Sequence, residues 1–184
     1  PVEWADTPEQ AEFRAAVGQL VVDELPERYR PGGSRNSANE GHEWQLDRIS
    51  EDPEARNAAW SWADALAERG WIAPAWPVEY GGGGLSPMEQ FIFNHELAKA
   101  EAPQVGGQGI SQIGPASIIH GTDELKAEHI SKTLSGERAW RQGFSEPGAG
   151  SDLASLQTAA RRDGDEYVDC NDGQYLDSSG CLCL

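Results

Sequence analysis

Apolar positions along this chain recur mostly at three- and four-residue steps, and each such run opens on a recognisable cap. Thr7-Pro8-Glu9-Gln10 supplies a capping hydroxyl, a proline at the first helical position and a glutamine able to close a capping box. Phe13, Val17, Leu20 and Val21 then share one face, which predicts an amphipathic helix. Pro26 and Pro31-Gly32-Gly33 end it and open a polar loop reaching to about Glu51. Asp52-Pro53-Glu54 starts a second helix, with Ala55, Ala59, Trp62 and Leu66 at helical steps and Gly70 at the left-handed C-cap position. Trp71 to Pro77 is apolar but broken by proline, so a packed loop is expected, followed by Tyr80 and the glycines 81 to 84.

Ser86-Pro87-Met88-Glu89 is another capping box, and Met88, Ile92 and Leu97 face a core with Phe91 and Phe93 flanking. The segment from Ile110 to Ile119 reads as a buried helix with Ile110, Ile113, Ser117 and Ile118 inward, closed by Gly121. Thr122-Asp123-Glu124 caps one more helix through Leu125, Ile130 and Leu134 to Gly136. Beyond Gly136 the period changes. Trp140 to Phe144 reads as a short strand, 145–152 as a loop, and Leu156 to Arg161 with Glu166 to Val168 as a hairpin turning at Asp163-Gly164. The predicted fold class is mainly α: a bundle of about five helices in residues 1–137, then the first strands of an incomplete β domain in residues 138–184.

The chain has 184 residues, 38% hydrophobic and 24% charged, a globular composition. No run of about 18 apolar residues is present, so no membrane span is expected. Pro1 to Gln10 is acidic and mixed, unlike a signal peptide, and a cytoplasmic, reduced setting is the expectation. The net charge of −17 argues against nucleic-acid binding, which depends on Lys and Arg neutralising phosphates. It also means that any phosphate-bearing ligand must be held by backbone N–H groups or by cations from elsewhere. Cys170, Cys181 and Cys183 have no zinc-pair spacing, and the four histidines (His42, His95, His120, His129) show none either, so no metal site is expected. A Gly-x-Ser-x-Gly elbow is absent, and glycines 81 to 84 lack the Lys-Ser/Thr of a P-loop.

The stretch Gly143-Phe144-Ser145-Glu146-Pro147-Gly148-Ala149-Gly150-Ser151-Asp152 carries the candidate chemistry. Glycines 148 and 150 let backbone N–H groups turn toward one point, and converging N–H groups bind anions. Ser145 and Ser151 add hydroxyls. On spacing alone the same composition also suits a plain turn. Glu79 and Glu96 sit among ordinary polar residues and are not read as catalytic bases.

Ser145 to Leu153 resembles the signature that opens the middle β domain of acyl-CoA dehydrogenases. Trp76-Pro77-Val78-Glu79-Tyr80-Gly81-Gly82 is similar to the family's Pro-x-x-Tyr-Gly-Gly loop. Gly121 to Lys126 with Leu134 to Glu137 is similar to its preceding helix, and Asp163 to Val168 to its following hairpin. The resemblance runs from about Thr7 to Val168, and the style of Gln142 to Leu156 is similar to actinobacterial-type members acting on bulky acyl groups. It implies FAD as cofactor, an acyl-CoA thioester as substrate, and an electron-transferring flavoprotein as acceptor. In the family a Glu takes the α proton while a hydride passes from Cβ to the flavin. By the same resemblance Gln142, Phe144 and Ser145 line the flavin ring, Gly150 and Ser151 hold the diphosphate, and Ser151 lies near the acyl-CoA entrance. Ser179 stands where a hydroxyl bonds the flavin.

After Val168 the chain departs from the family pattern: Asp177 stands where the family has a flavin-packing Trp, and residues are inserted. The family's base lies in a C-terminal helical bundle with no counterpart here, so no catalytic residue is assigned. No Lys or Arg follows Arg162, while six acidic residues do, so fraying is expected after about Val168. Two functions follow as expectations: the N-terminal segment of a dehydrogenase, inactive alone, or a non-catalytic subunit that joins homo- or hetero-oligomers of such chains.

Overall fold

The computed structural model describes residues 5–33, 43–141, 149, 151–157, 159–169 and 182–183. Among the described residues six α-helices follow one another: α1 (Pro8–Glu24), α2 (Glu43–Asp47), α3 (Pro53–Ala67), α4 (Pro87–Lys99), α5 (Gly114–His120) and α6 (Asp123–Leu134). Each long helix starts where the sequence caps it. Thr7 accepts from Gln10 N while the Gln10 side chain accepts from Thr7 N, and Ser86 and Glu89 do the same for α4. Asp52 accepts from Glu54 N, and Thr122 from Leu125 N. These bonds satisfy N–H groups that the first turn leaves without partners, worth about 0.5–2 kcal/mol per cap.

The main core lies between α1, α3 and α4. Val17 and Leu20 of α1, Trp62 and Leu66 of α3, and Phe93 and Leu97 of α4 are all buried together. Trp71, on the turn after α3, meets Phe13 and Phe93 edge-on at 5.6 and 5.5 Å between ring centroids. Phe93 is therefore a core residue, whereas Phe91 is 54% exposed, because successive helical positions differ by about 100° and only one of the two can face inward. An ion pair ties α1 to α4 at the edge of this core: Arg14 bonds Glu96 at 2.7 Å and Asp6 at 2.6 Å.

A second, smaller cluster joins Ala73 and Trp76 of the proline-broken loop to Ile130 of α6, with Tyr80, Ile110, Ile118 and Leu134 around them. The expected packed loop is present, with Ala73 and Trp76 buried.

The structure differs from the sequence reading in two helical places. The polar loop before Glu51 contains α2, five residues held by Arg28 Nε and Nη2 on the Asp47 carboxylate at 2.7 and 2.9 Å. The expected helix from Ile110 to Ile119 is two pieces: a π-helical turn at Gly109–Ile113, then α5. That stretch is also less buried than its apolar content suggests. Ile119 is 70% exposed, and Ser117 and Gly114 are the buried members of α5. It packs against α6, Trp76 and, through the π turn, β1.

Beyond α6 the chain becomes extended. β1 is Trp140–Arg141, paired in parallel with β4, Leu182–Cys183. β2 (Ala160–Asp163) and β3 (Glu166–Asp169) form the expected antiparallel hairpin. Its register pairs Asp163 with Glu166, so the two loop residues are Gly164 and Asp165, one position later than the sequence suggested. Gly164 has φ of 64°, as a two-residue hairpin loop with glycine first requires. The expectation of fraying falls mainly on residues 170–181, outside the described residues. Among the described residues no helix is long and apolar enough to cross a membrane.

Candidate functional site

Of the sequence-derived site residues, Gln142, Phe144, Ser145, Gly150 and Ser179 lie outside the described residues. Ser151 is described. It stands on an exposed bend two positions before a 3-10 turn at Leu153–Ser155, and its hydroxyl has no partner among the described residues. The neighbouring turn is closed without it, since Ser155 Oγ donates to Asp152 O at 3.0 Å. The exposed Ser151 hydroxyl is a hydrogen-bond donor open to solvent. Ala149, on the other side of Gly150, is buried.

The strand feeding that loop is anchored through one indole. Trp140 Nε1 donates to Thr133 Oγ1 at 2.9 Å, and Thr133 Oγ1 donates in turn to His129 O at 2.8 Å. The Trp140 ring also stands edge-on to His129, with centroids 5.4 Å apart. Arg138 contacts the same histidine and bonds Glu128 at 3.0 Å. The Glu128 carboxyl is held below its usual range, first by the hydrogen bond from Arg138 and then by neighbouring positive charge. Gln142, the first flavin-ring candidate, follows Trp140 by two positions.

Beside Trp140 opens a cleft of about 410 Å³. Its walls come from α2 and α3, from the stretch 105–110, and from the end of α6 through to Trp140. Trp44, Trp60 and Trp140 supply broad apolar faces. Trp44 and Trp60 meet edge-on at 6.2 Å, and Trp44 Nε1 donates to Ala59 O at 2.9 Å. Arg48 lies over the Trp44 ring, 5.3 Å from its centroid, and Nη1 donates to Gly136 O at 3.3 Å. Gln45 Nε2 donates to Gly106 O at 3.1 Å. Two polar atoms of the wall, Gln45 Oε1 and Arg48 Nε, are buried without a hydrogen-bond partner. Sequence reasoning did not find this cleft. Its residues come from four separate segments, and the one local signal was the glycine-rich run Gly106-Gly107-Gln108-Gly109.

Glu79 is exposed, and Glu96 is committed to Arg14 and His95.

Residues 7–137 match the family model described as acyl-CoA dehydrogenase, N-terminal domain. The chain is 48% identical over 103 residues to acyl-CoA dehydrogenase FadE26 of Mycobacterium tuberculosis, covering 56% of this chain and 26% of that protein. It is 36% identical over 158 residues to acyl-CoA dehydrogenase IpdE1 of the same organism, covering 85% of this chain and 38% of the relative. Among solved structures it resembles a chain of the ChsE4-ChsE5 complex from M. tuberculosis, with a TM-score of 0.63 and 34% identity, over 91% of this chain and 38% of that one. It also resembles the Tcur3481-Tcur3483 steroid ACAD, with a TM-score of 0.64 and 30% identity, over 91% of this chain and 39% of that one. The 184 residues thus span well under half the length of these relatives.

Proposed function

Because the chain belongs to the acyl-CoA dehydrogenase family, we propose that it is the N-terminal segment of an FAD-dependent enzyme that desaturates an acyl-CoA thioester between Cα and Cβ. Residues 1–137 form the helical domain and 138–184 the opening of the β domain. The observation that carries this reading is the placement of the signature Ser145 to Leu153 directly after a helical domain matched over residues 7–137. The uncommitted Ser151 hydroxyl agrees with it.

The flavin, when bound, supplies the hydride acceptor. The chain's own contribution is to hold and orient. Ser151 and the amide of Gly150 bind diphosphate oxygens, which suits an acidic protein because main-chain dipoles do the work of cations. Gln142, Phe144 and Ser145 would line the ring, and the Ser179 hydroxyl would hydrogen-bond to it. Trp140, bonded to Thr133, fixes where the strand enters that loop. The α proton is taken by a base outside these residues: Glu96 is ion-paired, and the matched relatives extend far beyond the shared stretch. The acyl group is bulky, a reading supported by likeness to a structure described as a steroid ACAD. An electron-transferring flavoprotein is the acceptor.

A second reading makes the chain a non-catalytic partner of another dehydrogenase chain, and the likeness to one chain of a two-protein complex favours it. Flavin separates the two. The full chain is purified with FAD, alone and together with the polypeptide that completes the fold, and dye reduction by an acyl-CoA is followed. Flavin retention and dye reduction only in the completed protein are expected. Dye reduction by the chain alone overturns the outside base, and a completed protein that retains no flavin overturns the cofactor assignment.

A further inference from the structure

Arg138 ties together two neighbours on α6. Its Nη2 donates to Glu128 Oε1 at 3.0 Å, and its Nη1 lies against the His129 ring, nearer to Nδ1 than to Nε2, which is 3.4 Å away. A guanidinium stays charged and can only donate. The nitrogen it meets must therefore offer a lone pair, which makes the ring neutral with its proton on Nε2. That Nε2 lies 4.0 Å from the other oxygen of Glu128. One carboxylate thus stands within reach of two donors, one charged at every pH and one charged only after proton uptake. The His129 side chain is 18% exposed and that of Glu128 58%, so solvent reaches both.

Among the described residues no other charged group bonds the ring. On α6, Lys132 acts on Glu128, and Lys126 is turned to Tyr80, 5.9 Å from its ring centroid. Glu137 adjoins Arg138, the π turn carries no titratable side chain, α5 carries His120, and β1 carries Arg141.

We propose that His129 is a pH-sensitive latch on β1. While the ring is neutral, Arg138 is docked on His129 and Glu128. When Nδ1 takes a proton from water, two cations stand in contact. Glu128 then exchanges Arg138 for the Nε2–H of the charged ring, and Arg138 leaves. The docked state belongs to the higher pH and is lost as pH falls, since only the neutral ring accepts from Arg138. An imidazole is the side chain that changes charge between about pH 5 and 8. The change reaches the strand through short connections. Arg138 N donates to Lys132 O at 3.0 Å, and Trp140 follows Arg138 by two positions. The Trp140 ring stands edge-on to His129, and its Nε1 is held by Thr133, which is itself bonded to His129 O. That β1 feeds a flavin-binding loop rests on the dehydrogenase reading. The latch does not, because it is read without flavin.

Amide exchange of the full chain, labelled with nitrogen-15, is measured at about pH 7.5 and about pH 5.5 and taken relative to the free-peptide rate at each pH. In the wild type, protection of the residue-138 amide should fall about tenfold between the two, while amides of α3 keep theirs. His129→Gln retains an acceptor for Arg138 but takes no proton, and Arg138→Gln leaves no cation to be displaced. In each variant the same amide should change by less than about twofold. The latch is overturned if wild-type protection at residue 138 is the same at both pH values, if it falls as far in either variant, or if α3 loses protection equally. Should one variant fail to fold, the other decides the matter. Loss of the flavin reading with this pattern intact would leave the latch standing.

Discussion

Trp76 and Gly114 share one surface: a Cβ on Gly114 would overlap the indole ring, and the same indole donates Nε1 to Ile110 O at 3.0 Å. The π turn explains why that carbonyl is available. Gly114 N bonds Gly109 O, five residues back, instead of Ile110 O. The residue five beyond Ile110 is Pro115, which has no N–H to offer. Trp76 therefore supplies the donor that the helix cannot, and the glycine lets the ring come close enough to do it.

Gly114→Ala should accordingly destabilise the chain, although alanine is the better helix former by about 1 kcal/mol. Displacing the ring costs about 1–3 kcal/mol in overpacking and also breaks the indole bond. Urea unfolding should show a lower midpoint than wild type. A midpoint equal to or above it would mean that the ring is not held against this position.

The caps were legible because they are local: Thr7 with Gln10, Ser86 with Glu89, Asp52 and Thr122 each act within three residues, and each opens the helix expected of it. What was not legible is non-local. Helix α2 is five residues long, too short to form on its own propensity, and has no apolar period. It is held by Arg28, nineteen residues earlier, and by Trp44 reaching Ala59. The π turn likewise follows from Trp76 and Pro115 together, not from the spacing of its isoleucines. The cleft needed four segments to be brought together first. The signature loop is the reverse case: its chemistry was read from its residues, most of which lie outside the described structure.

Thr133→Val tests the anchor of β1. The substitution keeps the shape and removes the oxygen that accepts from Trp140 Nε1. Because Trp140 is buried, its N–H is left without a partner, at a cost of about 1–3 kcal/mol. Trp140→Phe in the Thr133→Val background should then cost less than Trp140→Phe alone, since the bond is already gone. Additive effects of the two substitutions would show that they are not coupled.

Helix α2 should depend on one ion pair. Arg28 and Asp47 side chains are 14% and 11% exposed, so removing one partner leaves the other poorly solvated. Breaking a buried pair in this way costs about 3–5 kcal/mol, and this partly hydrated pair should lose somewhat less. Asp47→Ala should speed amide exchange across residues 44–48 more than across α3. Uniform exchange changes over both helices would place the effect elsewhere.

The Glu96 carboxylate should give the chain an acid-sensitive component of stability. Burial by itself raises its pKa, but hydrogen bonds from Arg14 and His95, with the charges of Lys99 and Arg14, outweigh that and leave it below the ordinary 4.5. The folded state therefore takes up the proton less readily than the unfolded chain. Between the two pKa values the unfolded state carries more protons, so stability rises with pH there. The contribution is complete above that ordinary value, which the unfolded chain keeps, and fades as pH falls through the lower folded value. Comparing wild type with Glu96→Gln isolates it, because the other carboxylates titrate in both proteins. The stability difference between the two should be constant above about pH 5 and shrink below about pH 4. A difference that stays constant to about pH 3 would show that Arg14 does not depress this carboxyl, and that the α1–α4 contact owes its strength to the packing of Val17, Leu20, Phe93 and Leu97 instead.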